Sequence, residues 1–133
     1  MAEGSQVGTS EKKPDMMVMY LVCRRDLLTE LKWPTGSVLA QAAHASTAVL
    51  AENAEHPNVV EYTSPSMIDR MHKVVLEAKN EEEIVKVSKK LEDGNIPYKL
   101  WIEQPENIPT CLATIPHQRS ALKPFFKRLR LFA

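Results

Sequence analysis

The chain has 133 residues, 44% hydrophobic and 26% charged, with 17 basic and 17 acidic side chains in balance. That length fits one domain able to bury a core without staples, and zero net charge argues against wholesale nucleic-acid binding. No run approaches the roughly 18 apolar residues of a membrane span, and the opening residues lack the apolar core of a secretory signal.

Residues 1–15 (MAEGSQVGTSEKKPD) are small, polar and Gly/Ser-bearing, and read as a disordered leader to a domain over 16–133. Residues 16–23 (MMVMYLVC) are a continuous apolar run closed by Arg24, Arg25 and Asp26, the pattern of a strand buried on both faces. A loop over 27–33 leads to Pro34, which suits the first turn of a helix. Residues 36–53, rich in Ala, Leu and Gln, continue as that helix, with Val38, Ala42, Ala45 and Val49 as its apolar stripe. His56 and Pro57 break it. Residues 58–62 fit either a short helix or coil, and 65–71 read as another short helical piece.

Residues 73–78 (KVVLEA) form a second strand. Asn80 and Glu83 have capping-box spacing, opening a helix whose inner face is Ile84, Val87, Ser88 and Leu91 and which stops at Gly94. Strands follow at 97–104 (PYKLWIEQ) and 110–115 (TCLATI), joined by a turn short enough for antiparallel pairing. Residues 119–129 read as a basic amphipathic helix, with Pro124 inside its first turn or kinking it. The order predicts an α/β domain with a mixed, mainly parallel sheet of about four strands.

Several chemistries drop out. Only four glycines occur, with no GxGxxG or GK[ST] loop, and there is no CxxC, HExxH or GxSxG. His44, His56, His72 and His117 are too dispersed for a metal site to be expected. Cys23 and Cys111 lie in apolar runs and read as reduced core thiols, which sets a cytoplasmic location as the default.

The first long helix stands out. Ser37, Gln41 and His44 are spaced four and then three, so a hydroxyl, an amide and an imidazole share one stripe near its opening turn. The helix N-terminus adds unpaired N–H groups that favour an anion. Ala40, Ala42, Ala43, Ala45 and Ala48 leave room for close approach. The plainer alternative is a histidine that bonds a neighbour and fills space. Trp101, Glu103, Gln104, Glu106 and Asn107 surround a strand end, and Glu103 there can act as a general base or orient a histidine, or be a surface carboxylate. Past Thr114 the chain holds five basic residues (Arg119, Lys123, Lys127, Arg128, Arg130) and no acid. Such a face steers a polyanion or is simply solvated.

YLVCRRDL, AQAAHASTAVL, KVVLEA and WIEQPENIPTCLATIP, in that order, resemble the type 2 peptidyl-tRNA hydrolase family. The similarity runs from about Met19 to Phe132 and is closest to the divergent, peptidyl-tRNA hydrolase domain-containing branch. The resemblance implies a three-layer α/β/α domain, usually a homodimer. It implies hydrolysis of the ester between a peptide and the 3′ ribose of tRNA, with no metal or cofactor. The family's glutamine and histidine match Gln41 and His44, and the threonine opening its TVLAIGP strand matches Thr110. Its DAGRT motif falls on residues 103–107, so Glu103 replaces the aspartate and Asn107 the threonine. Its GKGK falls on Pro34, Thr35, Gly36 and Ser37, and both lysines are absent.

The implied catalytic set is therefore His44, oriented by Glu103, with Thr110. Thr35, Ser37, Gln41 and Asn107 would supply hydrogen bonds to peptidyl-tRNA, and Lys32, Arg24 and Arg25 would partly replace the missing charge. The alternative is a binding module for RNA or protein on the same scaffold, without turnover.

Overall fold

The apolar run near the start of the chain becomes β1 (Met17–Arg24), the central strand of the domain. The structure, a computed structural model, describes residues 15–133. The expected leader therefore lies outside the described residues, apart from Asp15. Its carboxylate accepts the Ser120 N–H at 3.0 Å and the Ser120 hydroxyl at 2.6 Å, tying the domain's start to its last helix.

Strand alternation sends β1 side chains to two cores. Met19, Leu21 and Cys23 face one cluster, while Val18, Tyr20 and Val22 face the other. That is why the run carries no polar alternation. The first cluster is covered by α1 (Asp26–Thr29), α2 (Thr35–Glu52) and α3 (Pro57–Tyr62), which contribute Leu27, Val38, Ala45, Val49, Val59 and Tyr62. The second is covered by α4 (Glu81–Asp93) and α5 (Arg119–Leu122), through Ile84, Val87, Leu91 and Leu122. The three-layer expectation holds.

The remaining strands are β2 (Lys73–Ala78), β3 (Tyr98–Glu103), β4 (Ile108–Thr114), β5 (His117–Gln118) and β6 (Arg130–Leu131). The sheet order is β3-β4-β1-β2-β6, with β5 also on β1, so two short strands join the four expected. Strands β1, β2 and β3 run the same way, but β4 inserts antiparallel between β1 and β3. Among the described residues only the β1–β2 pairing is parallel, which corrects a mainly parallel ladder. The cause is the short turn after β3, which returns the chain directly beside its neighbour.

Helix α4 behaves as its sequence predicts. The Asn80 side chain accepts from the Glu83 N–H at 3.0 Å, and Ile84, Val87, Ser88 and Leu91 are buried. The chain end does not. Pro124 supplies no N–H, so α5 stops after Leu122 and passes into a 3-10 turn, Lys123–Phe126. The chain then extends as β6 along β2, and the Phe132 N–H donates to the Val75 carbonyl at 2.9 Å.

Candidate active site

Helix α2 opens from Pro34, whose extended backbone (ψ 147°) precedes the first turn without any side-chain cap. Thr35, Gly36 and Ser37 are exposed there, and a Cβ placed on Gly36 would meet nothing within 4 Å. The Pro34 carbonyl accepts from the N–H groups of Ser37 and Val38, at 3.0 and 3.2 Å. The helix mouth is open, and the first-turn residues Thr35, Gly36 and Ser37 carry no charged side chain.

One turn further in, the expected stripe divides. Gln41 is 2% exposed and turned into the protein, whereas Ser37 and His44 lie at the surface. Thr110 Oγ1, fully buried, donates to Gln41 Oε1 at 2.8 Å, and Gln41 Nε2 donates back to the Ser37 carbonyl at 3.2 Å. Gln41 thus brackets α2 to β4, with its amide oxygen and nitrogen both engaged. Gln41 and Thr110, expected to bind substrate and to take part in catalysis, are both buried and bonded to each other.

Thr110 reaches Gln41 because of a break in strand register. Trp101 opposes Cys111 and Ile102 opposes Pro109, so Thr110 has no partner on β3. Such a β-bulge re-aims one side chain. Here it brings Thr110 to the α2 side together with its neighbour Cys111.

His44 lies against Trp101, with ring centroids 4.6 Å apart and planes inclined by 20°. Trp101 Nε1 donates to Glu103 Oε1 at 2.9 Å. Glu103 therefore holds the tryptophan rather than bonding the histidine as expected. Sequence reading assigned Trp101 no role. Its one usable signal was spacing: residues 101 and 103 share a strand face.

Arg24, expected to meet tRNA, is 5% exposed. Its Nε and one Nη pair with Asp26 at 2.9 Å each, and the other Nη donates to the Pro109 carbonyl at 3.0 Å and lies 3.6 Å from Glu81. A buried guanidinium with these partners has no face for a phosphate, so Arg24 is a structural clamp on the start of β4. Asn107 is exposed at φ 60°, and its N–H closes the turn onto the Glu103 carbonyl at 2.7 Å. Asparagine tolerates that left-handed backbone far better than a β-branched threonine. Its place is explained by the turn.

Lys32 is exposed just before α2. Arg25 is half-buried, lies over the Phe132 ring at 5.1 Å and is 4.0 Å from Glu77. It lines a cleft of about 700 Å³ that opens at the carboxyl ends of β1 and β2 and not over His44. Lys79, Arg128 and Arg130 line the same cleft, and Arg130 is paired with Glu77 at 3.2 Å. Cys23 and Cys111 face each other across β1 and β4 as free thiols. The hydrogen bond with Cys23, and then burial, hold the Cys111 thiol well above its ordinary range, which fits an inert core group. Among the described residues no three His, Cys, Asp or Glu side chains gather as a metal-binding group.

The chain is similar to several known proteins. Residues 17–132 match the family described as Peptidyl-tRNA hydrolase PTH2. A Mus musculus protein is 41% identical and a Homo sapiens protein 40% identical, each over 128 residues covering 96% of this chain and 90% of the relative. Both carry the name "Putative peptidyl-tRNA hydrolase PTRHD1". A solved structure of a protein of unknown function from Agrobacterium aligns with a TM-score of 0.62, over 91% of this chain and 100% of that one, at 15% identity. That last likeness is one of fold.

Proposed function

The chain belongs to the peptidyl-tRNA hydrolase PTH2 family, and from that premise we propose that it hydrolyses the ester joining a peptide to the 3′ ribose of tRNA. The observation that carries the reading is the surface-exposed His44, stacked on Trp101 on the same helix that the buried Gln41–Thr110 bridge ties to β4. An ester at this reactivity needs a positioned water, a proton acceptor and donors for the oxyanion.

In the proposed reaction His44 takes a proton from water as the oxygen attacks the ester carbonyl. The oxyanion is received by N–H groups at the opening of α2 and by the hydroxyls of Thr35 and Ser37. Collapse breaks the bond to the ribose oxygen, which leaves with the proton from His44. The products are a free peptide carboxyl and a 3′-hydroxyl. Lys32, Arg25 and the basic residues of the C-terminal segment would meet tRNA phosphates. A role in translation, a cytoplasmic location and a homodimeric state accompany this reading, the last two tested by fractionation and light scattering. No helix among the described residues is long and apolar enough to cross a membrane.

The second reading, an RNA- or protein-binding module without turnover, is favoured by one observation: no cation stands in the first turn of α2. Both readings meet one experiment. Purified protein and a His44→Ala variant are incubated with peptidyl-tRNA, beside a family member that has both lysines. Release of free peptide that depends on His44 supports the hydrolase. RNA retention without release supports the module.

A further inference from the structure

A histidine on an exposed helix face is free to rotate about two side-chain bonds, and a general base works only when its ring is held in place. Something must hold His44. Among the described residues it is not a carboxylate. The only side chain stacked on it among the described residues is Trp101, at 4.6 Å and 20°. Trp101 is itself well anchored: half-buried, packed against the core under α2, and oriented by its indole N–H bond to Glu103 at 2.9 Å.

Resting on the hydrolase reading above, we propose that Trp101 is the positioning residue for His44, and that Glu103 acts through Trp101 by fixing the indole ring. Two physical effects follow. A near-parallel aromatic pair biases the imidazole toward one rotamer by a few-fold to about tenfold. The indole face also attracts a cation, so it stabilises the imidazolium that forms as His44 takes the proton from water. The second effect belongs to the transition state. Its loss should lower kcat and leave KM alone. The bulge at Thr110 supports the arrangement from below, because Thr110 and Trp101 come from adjacent strands to hold Gln41 and His44 on neighbouring turns of one helix.

The test uses the full chain with Trp101→Phe, Trp101→Leu, Glu103→Gln and Glu103→Ala, beside His44→Ala. Phenylalanine keeps an aromatic face and loses the N–H, whereas leucine keeps apolar bulk and loses the face. The first readout is independent of activity: the proton resonances of the His44 imidazole, assigned by their absence in His44→Ala. In the unmutated protein they should be displaced by the indole ring current. They should move back in Trp101→Leu, and less so in Trp101→Phe. The second readout is peptidyl-tRNA turnover. Trp101→Leu should lower kcat about tenfold with KM within about twofold. Glu103→Ala should give a smaller loss, and Glu103→Gln, which keeps an acceptor oxygen, should recover most of it.

Unchanged His44 resonances in Trp101→Leu would overturn the proposal. So would unchanged kcat in Trp101→Leu while His44→Ala is inactive, and that result would leave the hydrolase reading standing. An inactive unmutated protein, or turnover unaffected by His44→Ala, would sink the hydrolase reading and the catalytic part of this proposal together. Trp101→Phe guards against misfolding, because a normal melting temperature with altered kcat separates positioning from packing.

Discussion

A glutamine amide offers an acceptor and a donor at one end of a flexible stem, and Gln41 uses both inside the protein. Removing the donor leaves a buried oxygen unpaired, which costs more than the bond itself contributes. Thr110→Val should therefore lower stability by about 1–3 kcal/mol, read from denaturant unfolding, although the shape is nearly kept. Turnover should fall as well, because the bridge ties the helix that carries His44 to β4. The sequence showed which residues belong to this region but not which way they face. Positions 41 and 44 lie roughly 60° apart around a helix, so a stripe reading groups them while the fold buries one and exposes the other. The same limit hid the bulge. Register depends on the partner strand, and nothing in TCLATI by itself marks Thr110 as the extra residue. At the mouth of α2 the missing charge makes a sharper forecast. Ser37→Lys restores a family cation where an oxyanion would form, and should raise peptidyl-tRNA turnover at least about tenfold, given that one strong donor is typically worth about 10²–10³. No gain, with the fold intact, would move the oxyanion site elsewhere.

Elements with strong local signals were legible, and those decided by pairing were not. KVVLEA, the Asn80 cap and the inner face of α4 came directly from spacing. The C-terminal segment misled because basic residues at helical intervals look amphipathic whatever they become. Pro124 ended α5 early, and β6 found its place only because the edge of β2 was free to pair. Arg24 shows how much depends on the junction of these elements. It joins the end of β1, the start of α1, the carbonyl before the β4 bulge and the opening of α4. Its charge invited an RNA role, and the structure engages that charge inside the protein, with Asp26 and the Pro109 carbonyl. Arg24→Met should cost about 3 kcal/mol, since Asp26 loses its buried partner. The check is a thermal melt alongside Asp26→Asn. A double variant should recover part of the loss, because no unpaired charge remains.

Across the whole molecule, neutrality conceals a division of labour along one edge of the sheet. The mouth of α2, the bulge of β4 and the cleft beside β2 all gather at the carboxyl end of β1, where α/β sheets commonly bind ligands. Lys79 and Arg128 in the cleft, with Lys127 beside them, have no acidic partner among the described residues. If tRNA crosses this edge, its affinity should fall steeply with salt, with a log–log slope of about −2 or steeper, and Arg128→Ala should flatten that slope by about one. A filter-binding titration reads both, and a flat salt response would remove RNA from the account. In the proposed reaction it is His44 that turns over the ester. The most direct test of that role measures single-turnover release of peptide and tRNA affinity in the same samples of unmutated protein and His44→Ala. Loss of the His44 imidazole should lower the rate at least about a hundredfold with affinity unchanged. Rates that agree within about twofold would contradict that role.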